Sequence, residues 1–119
     1  MFLFSIITRL LYSLSRLLSR MVVNTIDKAL VKKYFSITGE ALEKVQKAMI
    51  SQDDSRRALA DDFLDMASRY YNDAEHFFEK GEWVLAYAAL NYAHGWLDAG
   101  ARSGLFLVKD SRLFTVDDE

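Results

Sequence analysis

Not one of the 119 residues is a proline. Ordinary usage of about 5% would place roughly six in a chain of this length. Without the residue that breaks helices, and with Ala, Leu, Lys, Glu and Asp frequent, long uninterrupted helices are the natural outcome. The length supports one domain, large enough to bury a core of its own. There is also no cysteine, which excludes disulfides, thiolate zinc sites and cysteine nucleophiles and suits a reducing cytoplasm. Two histidines cannot make a three-histidine metal site, and neither a glycine-rich phosphate loop nor a GxSxG elbow appears. No metal, cofactor or catalytic residue is therefore expected.

Charge is unevenly divided. Residues 1–33 carry six bases and one acid, a net of +5, and the remainder carries nine bases and sixteen acids, a net of −7. So acidic a body repels nucleic-acid phosphates, which argues against DNA as a partner.

The basic end reads MFLFSIITRLLYSLSRLLSRMVV. At about 100° per residue, Leu3, Ile6, Ile7, Leu10, Leu11, Leu14, Leu17, Leu18 and Met21 fall on one side of a helix. Ser5, Thr8, Ser13, Ser15 and Ser19 fall on the other, with Arg9, Arg16 and Arg20 nearly aligned. The pattern predicts an amphipathic helix over 1–23 with a wide apolar arc. Arg9 and Arg16 interrupt every window of about twenty residues, so it is not a membrane span. The charges lie inside the apolar run, which is wrong for a secretory signal. Three readings stay open: packing on the bundle or on a second copy, lying on an anionic membrane surface, or upstream sequence before a natural start at Met21. The third is favoured, because Met21 directly precedes the first helix-start signal.

The body, 24–104, reads as an antiparallel bundle of three to four helices. Asn24-Thr25 before Ile26-Asp27-Lys28 is an N-cap signal, followed by Ile26, Leu30, Tyr34 and Ile37 at helical spacing. A second start is expected at Thr38, with Leu42, Val45, Met49 and Ile50 as its stripe, and Ser51-Gln52-Asp53-Asp54-Ser55 as a polar break. From about Asp54 to Lys80 the apolar face is Leu59, Phe63, Met66, Ala67, Tyr70, Ala74, Phe77 and Phe78. Gly81 ends that helix as a C′ glycine, and the next begins at Glu82, which forces a helix hairpin. The helix from Glu82 to about Ser103 is apolar or small nearly all round, so it should be central. Gly95 and Gly100 each lose about 1 kcal/mol of propensity against alanine, which points to close helix crossings. On that reading Gly95→Leu is more destructive than Leu59→Ala. The tail, 105–119, carries Leu105-Phe106-Leu107-Val108 and Leu113-Phe114-Thr115-Val116 around a polar turn. It should form an extended segment or small hairpin, which must dock to be stable.

Tyr92-Ala93-His94-Gly95-Trp96-Leu97-Asp98-Ala99-Gly100, preceded by Phe77-Phe78-Glu79-Lys80-Gly81-Glu82, resembles the signature of an archaeal family known as domain of unknown function 357. Gly104-Leu105-Phe106 and Leu113-Phe114-Thr115-Val116 resemble that family's ending, so the likeness covers roughly Thr25 to Val116. The resemblance implies a small all-α cytosolic protein and brings no catalytic residue with it.

Tyr87, Asn91, His94, Asp98 and Arg102, at spacings 4, 3, 4 and 4, form a polar stripe on the last helix. Asp98 can accept from His94 and pair with Arg102. The stripe reads either as a small polar pocket with His94 as a proton carrier or, better, as a strip of a central helix that reaches solvent or a satisfied seam that fixes helix register. Exposure of Asn91, His94 and Asp98 discriminates the two. Arg69 and His76 satisfy an R-x6-H spacing similar to that of the HEPN ribonucleases, but Asp62, Asp65 and Asp73 on the same face repel phosphate. An Asp65–Arg69–Asp73 ladder explains Arg69 without chemistry. Tyr70, Ala74, Gly81 and Trp83 resemble one tetratricopeptide-type hairpin, yet no second copy follows. Tyr70, Phe77, Phe78, Trp83 and Trp96 are read as core. The expectation is a non-catalytic binding or scaffolding module that self-associates or binds another protein, with a HEPN-like RNA-processing or nucleotide-handling enzyme and peripheral membrane association through 1–20 as the alternatives.

Overall fold

The computed structural model describes residues 2–21, 23–48 and 54–117, with the backbone alone at 2–4 and 18–21. It contains four helices, α1 (Phe2–Met21), α2 (Lys28–Lys47), α3 (Asp54–Glu79) and α4 (Trp83–Arg102). Met49–Asp53, which hold the end of the second expected stripe and most of the polar break, lie outside the described residues.

α2 starts three residues after the Asn24-Thr25 signal. Asp27 is its N-cap, with extended backbone and a carboxylate that accepts the Leu30 N–H at 2.9 Å. The second start expected at Thr38 does not occur, and α2 runs straight through Thr38-Gly39. Thr38 is 1% exposed and its hydroxyl meets the His94 ring, so it is not available as a cap. At Gly39 a Cβ would lie 2.9 Å from the Tyr71 hydroxyl, so the missing side chain makes room for α3. Packing on α3 and α4 outweighs the local preference of Thr and Gly for a helix end.

The hairpin forms as the spacing predicts. Gly81 (φ +74°) donates to the Phe78 carbonyl at 3.0 Å, and Glu82 donates to that of Phe77 at 2.9 Å. These are the two bonds of a Schellman motif, which needs a left-handed C′ residue. α3 and α4 then run antiparallel in the closest packing of the molecule, with α2 laid mainly against α4. Ala60, Ala67 and Ala74 recur every seventh residue of α3 and are buried, which lets the two backbones approach. α4 is central as expected, burying Ala86, Ala89, Leu90, Ala93, Leu97, Gly100 and Ala101.

Two expectations fail here. Leu59 is 46% exposed, because its neighbour Ala60 takes the inward position. Gly95 marks no crossing: a Cβ there would meet nothing within 4 Å. The close approach is at Gly100, where a Cβ would sit 2.1 Å from the Phe106 ring. α4 is apolar all round but buried on one side only, leaving Val84, Leu85 and Tyr92 exposed.

Gly104 (φ +77°) turns the chain back, and the Leu105 and Phe106 N–H groups both donate to the Gly100 carbonyl. The tail docks, as it must, burying Leu105, Phe106, Leu113 and Phe114 beside Leu97 and Val45. No hairpin is seen among the described residues; turns at Asp110–Phe114 shape the segment instead. Among the described residues α1 touches none of the other helices.

Candidate functional site

The polar stripe of α4 lies under the tail. His94 Nε2 is 2.6 Å from the Leu113 carbonyl oxygen. A carbonyl only accepts, so Nε2 carries the proton, and in the neutral ring Nδ1 accepts from the Thr38 hydroxyl at 3.1 Å. Both nitrogens are thus spent on structure. One turn on, Asp98 accepts from the Thr115 backbone N–H and, at 2.6 Å, from the Thr115 hydroxyl. Arg102 Nη1 donates to the Thr115 carbonyl at 3.2 Å. The pairing of Asp98 with His94 and Arg102 that the spacing allowed is therefore replaced by three anchors on residues 113–115. Asn91 donates to the Tyr87 carbonyl of its own helix at 2.9 Å. Tyr87 packs edge-on against Tyr34 at 4.8 Å, and their hydrogen bond raises the Tyr34 pKa.

A second set of anchors had only the polar turn Lys109–Arg112 as its signal in the sequence. Lys44 Nζ donates to Asp110 at 2.5 Å, and Arg112 bridges Asp110 (3.2 Å) and Glu40 (2.6 Å). The Lys44 bond, with help from Arg112, holds the Asp110 carboxyl below the usual carboxylate range. Its partners in turn raise the Arg112 pKa. The tail is pinned to α2 by charge and to α4 by hydrogen bonds.

Arg69 and His76 sit two turns apart on the exposed face of α3. Arg69 Nε donates to Asp65 at 2.8 Å, the first half of the expected ladder; the bond to Asp73 is not among those described. The two residues share a face, and neither lines the grooves described below. Among the described residues no cluster of three His, Asp or Glu side chains could hold a metal ion.

A largely apolar concave surface lies elsewhere. Between α3 and α4, where no α2 residue reaches, Tyr70, Asp73, Phe77, Leu85, Ala88 and Tyr92 line an open groove of about 480 Å³. It continues past Tyr92 into a hollow of about 280 Å³ bounded by Phe63, Gly95, Trp96 and Ala99. Tyr70 and Tyr92 meet edge-on at 4.4 Å, as do Phe63 and Trp96 at 5.0 Å. Phe77, Phe78, Trp83 and Trp96 pack on the core as read from the sequence; Phe77 also lines this groove, and Tyr70 is a wall of it. The buried Trp96 Nε1 has no acceptor among the described residues.

Residues 33–106 match the model of a family described as "Protein of unknown function (DUF357)", and the chain belongs to that family. The match covers the bundle and ends at Phe106, short of the Leu113–Val116 segment. No curated protein and no solved structure matches the chain.

Proposed function

We propose that this DUF357 member is a small non-catalytic interaction module that self-associates through α1. One observation carries the reading. Ile6, Ile7, Leu10, Leu11, Leu14 and Leu17 are all exposed, Leu10 and Leu11 at 64% and 63%, and among the described residues no other helix touches α1. A contiguous apolar face of this kind exceeds what a soluble monomer ordinarily presents and marks an interaction surface. The absence of chemistry is supported by the polar stripe, whose histidine, carboxylate and guanidinium are all engaged with the tail. The ribonuclease alternative draws no support from Arg69, which is exposed and held by Asp65. Among the described residues no helix is long and apolar enough to cross a membrane.

Light scattering on the full chain and on a chain starting at Met21 tests this. The full chain should exceed monomer mass in a concentration-dependent way, and the shorter one should be monomeric. A full chain that stays monomeric overturns the reading. If that monomer also floats with anionic vesicles and salt releases it, α1 serves a membrane surface instead.

A further inference from the structure

The reading above leaves open where α1 goes. Resting on it, we propose that α1 of one copy docks in the α3–α4 groove of a second copy, the fourth helix of a bundle that supplies only three in cis. On the α4 side the groove is lined by Leu85, Ala88, Tyr92, Gly95 and Ala99, at spacings of 3, 4, 3 and 4. On the α3 side it is lined by Phe63, Tyr70 and Phe77, one heptad apart. This is the seam that two helices present to a third. Small residues at three of the α4 positions leave space for an approaching backbone, and Gly95 faces open space. From Leu85 to Ala99 the seam runs about 21 Å.

α1 carries the matching pattern. Ile7, Leu10, Leu14 and Leu17 recur at spacings of 3, 4 and 3, and Ile6 to Leu17 spans about 17 Å. Arg9 and Arg16 lie about 10 Å apart along the axis on the polar side of α1. The groove carries charge of the opposite sign. Asp73 lines it, and Asp62 lies on the same outer side of α3, about 16 Å away along that helix. α1 has no acid to oppose them. The complementarity of sign favours this groove over a neutral apolar face.

A second copy is favoured over the helix's own bundle by the linker. α2 packs on Tyr71 and Phe78 of α3 and on Tyr87 and His94 of α4, the side opposite the groove. Residues 22–27 reach about 20 Å fully extended, and crossing the α3–α4 layer takes about two interaxial steps of 8–10 Å. An in-cis route leaves no slack. Exchange between two copies covers both apolar faces and both grooves in one closed, two-fold arrangement.

Charge exchange in the full chain tests this. Arg9→Glu/Arg16→Glu gives an acidic helix facing an acidic groove; Asp62→Arg/Asp73→Arg gives a basic helix facing a basic groove. Each variant alone should associate about tenfold or more weakly than wild type, and an equimolar mixture should regain association as a heterodimer. Gly95→Leu, which fills the groove from an open position, should weaken association with the melting temperature of the fold unchanged within a few degrees. If wild type associates but neither the variants nor the mixture differ from it, the groove is not the docking site, although self-association stands. If wild type is monomeric, the function reading fails and takes this inference with it. Vesicle binding that Gly95→Leu and the aspartate variants leave unchanged, without self-association, assigns α1 to lipid and overturns the proposal.

Discussion

Gly100 and the Phe106 ring occupy adjoining space so tightly that a Cβ on Gly100 would lie 2.1 Å from Cε2 of the ring. Gly100→Ala must therefore expel a fully buried phenylalanine that anchors the tail. It should destabilise by about 2–4 kcal/mol. Gly95→Ala meets nothing and should stabilise the monomer by about 0.5–1 kcal/mol through helix propensity. Gly95→Leu and Leu59→Ala should both be mild, at about 1 kcal/mol or less for exposed positions. Urea melts of the four variants check the ordering.

Thr38 and His94 form a pair that is better removed whole than halved. Thr38→Val leaves Nδ1 without a donor and should destabilise by about 1–2 kcal/mol; His94→Phe strands the buried Thr38 hydroxyl and the Leu113 carbonyl and should lose about 2–3 kcal/mol. The double variant should be less damaged than the sum by about 1 kcal/mol. A double-mutant cycle by denaturant unfolding measures that coupling. A coupling near zero would mean that the 3.1 Å contact does not hold the seam.

The Asp110 anchor makes stability depend on acid. Lys44, then Arg112, lowers its folded pKa below the ordinary 3.8. A carboxyl lowered on folding stabilises the native state above its unfolded pKa, and that contribution is lost as pH falls through the folded value. Wild type should therefore exceed Asp110→Asn in urea midpoint by a constant margin from neutral pH down to about pH 5. The margin should shrink below pH 4 and vanish in stronger acid. An unchanging margin would assign the effect of the substitution to packing.

Removal of residues 1–20 should leave the bundle intact. Among the described residues α1 touches no other helix, while α2, α3, α4 and the tail share two cores. A chain starting at Met21 should keep the secondary structure of the bundle and melt within a few degrees of the dissociated full chain. Circular dichroism at low concentration tests this; an unfolded product would make α1 a wall of the core.

What was legible before folding was the set of interactions that close within one or two turns. The extent of α3, the amphipathic arc of α1 and the Gly81 stop are read from residues three to seven positions apart, and each appears in place. The same local logic misplaced a helix start at Thr38, because the partner that keeps Thr38 inside α2 lies 56 residues away. It grouped His94, Asp98 and Arg102 correctly on one face but paired them with each other.

The sequence by itself determined the helical segments of α1, α3 and α4, the apolar arc of α1 and the hairpin that makes α3 and α4 antiparallel. Only the tertiary structure decided that Gly100 and not Gly95 is the tight crossing, since both look alike in a helical repeat. It also decided that the polar stripe is a clasp for the tail. Leu113 and Thr115 reach His94 and Asp98 only after Phe106 has packed over Gly100 and turned the chain back. Helix periodicity is a property of neighbours along the chain, whereas the partner of each polar group depends on which surfaces the apolar side chains bring together.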